Sequence, residues 1–130
     1  MATTLAAQKY EAFAQAWRPT PEKVKLAVQT VIEIAQPSRV IVFGSWARGD
    51  AKAASDLDLA VLFDDDRTDD IAALQKQMQA ALAKIPMSID LIAVTESYFA
   101  RFGSSINSIY YKIAHEGKLA YEHRTGVAAD

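Results

Sequence analysis

Between Pro37 and Gly44 the chain can form one kind of element. The run Arg39-Val40-Ile41-Val42-Phe43 is apolar, β-branched and bounded by two breakers. It is too short for a helix with a buried face and has the make-up of a strand covered on both sides. Such a strand requires neighbours and covering layers. Asp56 to Phe63 alternates Asp56, Asp58 and Ala60 against Leu57, Leu59 and Val61 and reads as a second strand. Ser88 to Val94 is a third, carrying the single acid Asp90, and Leu119 to Tyr121 adds a short edge strand.

The covering layers come from helical periodicity. Ala6, Tyr10, Phe13 and Trp17 recur at spacings of 4, 3 and 4, one stripe of an amphipathic helix. After Arg18-Pro19-Thr20-Pro21, Thr20 is placed to cap a second helix with Pro21 at its first position. Val24, Ala27, Val28, Val31, Ile32 and Ala35 keep helical spacing until Pro37. Ser45 to Ser55 reads as a short helix and a turn. A longer helix from about Asp69 to Lys84 puts Ile71, Leu74, Met78, Ala81, Leu82 and Ile85 inward. Thr95 and Ser105 are candidate caps for two further helices, the second with Ile106, Ile109, Tyr110, Ile113 and Ala114 in register and Gly117 as its stop. The predicted fold class is α/β, a small mixed sheet of three to four strands flanked by helices. The predicted organisation is a helical extension over 1–19, one domain over 20–123 and a loose tail over 124–130. The connection from Ser45 to Ser55 is of a length that permits parallel or antiparallel pairing.

Composition narrows the chemistry. With 130 residues, no Cys and only two His, thiolate zinc sites, iron–sulfur clusters, a Cys nucleophile and a His-rich metal centre are excluded. No apolar run approaches the ~18 residues a membrane helix needs, and the first residues lack a basic stretch followed by an apolar core, so the expected location is cytoplasmic. A net charge of -2 argues against direct nucleic-acid binding, which relies on a basic patch. Asp64, Asp65, Asp66, Asp69 and Asp70 read as a solvated turn at the start of a helix rather than a second metal site. Tyr110 and Tyr111 read as core and flank, and His115 as a favourable charge in the last turn of a helix.

One stretch carries chemistry: Val42-Phe43-Gly44-Ser45-Trp46-Ala47-Arg48-Gly49-Asp50, then Ser55-Asp56-Leu57-Asp58. A strand ending in Gly-Ser and entering a helix presents backbone N–H groups and a hydroxyl, and Gly44 lets a phosphate come close to the backbone. Asp56 and Asp58, two apart on a strand, leave the same face with Cα atoms ~6.6 Å apart. Facing carboxylates repel unless a cation sits between them, and hard oxygen donors suit Mg²⁺ together with substrate phosphates. Asp90 supplies a third carboxylate if its strand lies beside Asp56 to Phe63. By chance, Gly-Ser followed ten residues later by Asp-x-Asp arises in a chain this long roughly twice in a thousand.

Gly44-Ser45, ten intervening residues and Asp56-Leu57-Asp58, with Ala47-Arg48-Gly49 and Ser55 inside, resemble the signature of the polymerase-beta-like nucleotidyltransferases, and within them the minimal nucleotidyltransferases. The likeness runs from about Thr20 to Tyr121 and includes Tyr111-Lys112-Ile113-Ala114-His115-Glu116-Gly117-Lys118-Leu119-Ala120-Tyr121. The resemblance implies a nucleotidyltransferase fold in which Gly44, Ser45 and Arg48 bind the nucleotide and Asp56, Asp58 and Asp90 are catalytic and hold Mg²⁺, with ATP as substrate. Trp46 fills a variable position, and the helix before Thr20 lies outside the usual minimal core. Because only nine residues follow Tyr121, an acceptor site completed by a partner is expected. The resemblance further implies an antitoxin that transfers AMP from ATP to a tyrosine of a helical HEPN ribonuclease toxin, and hence a hetero-oligomer. This chain lacks the Arg-x4–6-His motif of such a toxin. Two alternatives remain: a catalytically silent module that neutralises a partner by docking, and a free-standing transferase acting on a small molecule.

Overall fold

The computed structural model describes residues 16–51 and 55–123. The helix read over Thr4 to Trp17 lies almost entirely outside the described residues, as does the tail from Arg124. Helix α1 (Pro21–Ala35) starts as expected: Thr20 is extended, its hydroxyl accepts from the Lys23 N–H, and Pro21 sits at the first position. At the other end Gln36 takes a left-handed conformation, and the Arg67 guanidinium donates to the carbonyls of Ala35 and Gln36 at 2.7 Å each. Strand β1 (Arg39–Phe43) leads directly into the five-residue helix α2 (Gly44–Arg48). Strand β2 (Leu57–Phe63) is followed by a 3₁₀ segment (Asp65–Asp70) and α3 (Ile71–Leu82). Then come β3 (Ile89–Thr95), α4 (Glu96–Phe102), α5 (Ile109–Glu116) and β4 (Lys118–Glu122).

The four strands form one mixed sheet in the order β3-β2-β1-β4. The α/β class and the flanked mixed sheet are as the sequence predicts. β1 is antiparallel to both β2 and β4, whereas β2 and β3 are parallel. The pairing that the Ser45–Ser55 connection left open is therefore antiparallel, and α3 supplies the crossover that parallel strands require.

The pleat divides the core in two. Val40, Val42, Leu57, Leu59, Val61 and Phe63 face one layer, where Ala27, Val31 and Ala35 of α1 and Met78 and Leu82 of α3 cover them. Ile41, Phe43, Ala60 and Leu62 face the other, under Phe99 of α4 and Ile113 of α5. Because β2 is covered on both faces it reads as a nearly unbroken apolar run. Leu57, Leu59, Leu62 and Phe63 are fully buried, each contributing about 1.5–3 kcal/mol of transfer free energy.

Three boundaries differ from expectation. Asp56 precedes β2 instead of opening it. The helix read from Asp69 to Lys84 is regular only over α3, its first turn being 3₁₀. The cap of α5 is Ser108 and not Ser105: the Ser108 hydroxyl accepts from the Tyr111 N–H, while the Ser105 carbonyl accepts from the Ser108 N–H and closes a turn. Ile106, read as part of the buried stripe, lies in that turn and is 75% exposed.

Candidate functional site

Along β2 the side chains on the α4–α5 face are Asp58, Ala60 and Leu62. The row is apolar where helices cover it and acidic where β2 begins. Register then fixes what Asp58 meets. It pairs with Phe43 of β1 on one side and with Asp90 of β3 on the other. The three acids expected from sequence are thus brought together: Asp58 and Asp90 are direct neighbours across parallel strands, and Asp56 acts on Asp58 electrostatically from just outside the strand.

Gly44, next after Phe43, passes the Asp58 carboxylate so closely that a Cβ there would overlap its Oδ2 atom, and its φ is +74°. Only glycine meets both demands. The turn from β1 into α2 is therefore built around the acid.

Asp58 is half-buried and its carboxyl is raised above the usual carboxylate range. Burial is the leading cause, followed by the charges of Asp90 and Asp56 and a hydrogen bond with the Asp90 carboxyl; Arg48 acts weakly in the other direction. Among the described residues no group of three His, Cys, Asp or Glu side chains is placed to hold a metal ion on its own. Asp58 and Asp90, direct neighbours across the parallel strands, are nevertheless hard oxygen donors whose like charges favour a cation between them. That donor set fits Mg²⁺, which takes one or two carboxylates and fills its remaining positions with water and phosphate oxygens.

Beside the acids is a cleft of about 550 Å³ lined by Gly44, Ser45, Arg48 and Asp58 on one wall and by Ser108, Ile109 and Lys112 on the other. Among the described residues no hydrogen bond engages the Ser45 hydroxyl. Arg48, in contrast, already meets Asp50 at 3.3 Å and Glu116 of α5 at 3.6 Å. Lys112 and Ser108 were not singled out as site residues from sequence. Their place depends on α5 packing beside α2, a contact between segments some sixty residues apart; the sequence signals for Lys112 are its membership of the family-like stretch Tyr111 to Tyr121 and its standing one helical turn before Glu116.

The other side chains weighed from sequence have structural surroundings. In the acidic turn Asp65 accepts from the Ser97 N–H at 3.1 Å, and its neighbours face solvent. His115 stacks on Tyr111 and is hydrogen-bonded to the Tyr111 carbonyl oxygen. Tyr110 packs edge-on against Tyr98 beside Phe102.

Residues 25–124 match the family model described as Polymerase beta, Nucleotidyltransferase. With about three-quarters of its length matched, the chain belongs to that nucleotidyltransferase family. Among solved structures it is similar to a candidate nucleotidyltransferase from Sulfolobus solfataricus, at 20% identity and a TM-score of 0.54, covering 82% of this chain and 84% of that one. That likeness shows the same fold. A toxin–antitoxin structure with AMP-PNP is similar at 19% identity and a TM-score of 0.45, covering 75% of this chain and 73% of that one. No curated protein matches the chain significantly. Among the described residues no helix is long and apolar enough to cross a membrane.

Proposed function

We propose that this protein is a Mg²⁺-dependent nucleotidyltransferase that moves AMP from ATP to a tyrosine hydroxyl of a helical partner protein. The observation that carries the reading is the register of Asp58 opposite Asp90, with the Gly44–Ser45 turn built against the same carboxylate. Asp56, Asp58 and Asp90 would hold the metal, which when bound neutralises triphosphate charge and makes an adjacent hydroxyl more acidic. Gly44 offers an N–H without a side chain to keep phosphate away, and Ser45 offers an uncommitted hydroxyl. The acceptor oxygen bonds to the α-phosphorus, the bond to the bridging oxygen of the β-phosphate breaks, and pyrophosphate leaves. Asp90, exposed on the edge strand β3, takes the proton of the attacking hydroxyl.

The cleft supports a protein acceptor over a small alcohol. Its volume is in the range a nucleotide alone fills. Ile109 on its wall and Ile106 in the adjoining turn are 45% and 75% exposed, an apolar rim that a docked protein would cover. The resemblance of the sequence to minimal nucleotidyltransferase antitoxins supports a HEPN-type ribonuclease as the partner in this reading. The test is intact-mass spectrometry of that partner after incubation with this protein and Mg²⁺-ATP. A gain of one or more AMP units that disappears with Asp56→Asn supports the reading. A partner silenced on binding but unmodified would show a docking module, and ATP turnover with a small alcohol alone would show a free-standing transferase.

A further inference from the structure

The two cations of the cleft are not equivalent. Arg48, at the end of α2, has carboxylates within 3.3 and 3.6 Å, the second belonging to Glu116 of α5. Its guanidinium bridges the two elements that form the cleft walls, and its charge is met before any ligand arrives. Lys112 lies one turn before Glu116 on α5, lines the same cleft as Gly44 and Ser45, and has no carboxylate within 4 Å among the described residues. Side chains four apart on a helix share a face, so the Arg48–Glu116 pair that ties α5 to α2 also sets where the Lys112 ammonium stands. Ser108 fixes the same helix at its start by accepting from the Tyr111 N–H at 3.1 Å.

We infer that Lys112 is the phosphate-binding cation of this site, taking the β- and γ-phosphates of the nucleotide, and that Arg48 is a strut that positions it. This rests on the nucleotide reading above and redistributes the roles within it. The charge arithmetic favours it. A nucleoside triphosphate enters a site that already holds the three carboxylates Asp56, Asp58 and Asp90. Metal ions offset charge on their side, while phosphate oxygens on the α5 side need a donor that is not spoken for. An ammonium on a flexible stem serves as a point charge for oxygens in several geometries and also follows pyrophosphate as it leaves. Asp56 and Asp90, which do not line the cleft, are left to the metal and the acceptor.

A phosphate contact of this kind has a signature that a structural role lacks, since it distinguishes ligands by their β- and γ-phosphates. The experiment is isothermal titration of the full chain with the α,β-methylene analogue of ATP, which cannot be transferred, and with AMP, both in Mg²⁺. Lys112→Met should weaken binding of the analogue about tenfold or more and leave AMP within twofold. Lys112→Arg, which keeps the charge, should restore most of the loss. Because Lys112 is exposed and Met is a good helix former, unchanged circular dichroism is expected of both variants. Equal loss for both ligands, no loss for either, or failure of Lys112→Arg to recover would overturn the assignment. If the unsubstituted protein binds the analogue and discriminates through Lys112 but transfers nothing to any acceptor, the transfer reading fails alone. If it binds neither ligand, both fail.

Discussion

Gly44→Ala tests whether the turn and the acid are built together. Two costs add. At φ +74° an alanine loses about 1 kcal/mol relative to glycine. Its Cβ would also overlap the Asp58 carboxylate, whose Cγ atom stands 3.1 Å from the ideal Cβ position. Asp58 must rotate or the turn must shift, and forcing one methyl into an occupied place costs about 1–2 kcal/mol. The sum is about 2–3 kcal/mol, or a drop of roughly 8–12 °C in Tm for a domain of this size. The two costs separate in a double-mutant cycle. With Asp58→Ala the new methyl meets only the residue 58 Cβ, at an ordinary 3.5 Å. The steric part should vanish and the backbone part remain, leaving a coupling of about 1–2 kcal/mol between the sites. Thermal and urea unfolding of the four proteins in chelator measure this. A Gly44→Ala variant as stable as the parent, or costs that add within about 0.5 kcal/mol, would refute the reasoning.

Other perturbations follow from the same structure. Asp58→Asn should leave the metal-free protein at least as stable, because a carboxyl whose proton affinity is raised on folding costs stability as pH rises from its unfolded pKa of 3.8 through its folded value; the difference in Tm from the parent should grow across that window and then level off. Mg²⁺ with nucleotide should stabilise the parent in a thermal-shift assay and not this variant. Burial works against the Glu96 carboxylate, but Arg39 at 2.6 Å and the Ser38 hydroxyl at 2.7 Å more than offset it and lower its pKa; this contribution is intact above 4.5 and lost as pH falls through the folded value. Glu96→Gln should cost about 1 kcal/mol or less near neutrality and show a shallower acid limb in stability against pH. Thr20→Ala removes the α1 cap and should cost about 1 kcal/mol by urea titration, with no change in nucleotide affinity.

What the sequence could disclose was local. β1 between Pro37 and Gly44, the α1 cap at Thr20 and the apolar face of α3 each depend on residues within a few positions, and each appears where expected. The pairing of Asp58 with Asp90 was expected only conditionally, since strand order is decided by crossovers and burial across the whole chain. Ser105 and Ser108 both precede apolar residues at helical spacing. The choice between them rests on the turn in which the Ser108 hydroxyl also donates to the Phe102 and Ser105 carbonyls, a geometry no short window reveals. Lys112 is visible in the sequence only as one residue of the family-like stretch, because a role for it needs α5 to pack beside α2.

Transfer of label from ATP measures the central claim most directly. The protein, its helical partner and Mg²⁺ are incubated with ATP labelled at the α-phosphate or, separately, at the γ-phosphate, and the partner is resolved by electrophoresis. The expected result is α-label on the partner, none with Asp58→Asn or Asp90→Asn, and γ-label recovered wholly as pyrophosphate. Label on the partner from γ-labelled ATP, or α-label that persists in both variants, would contradict it.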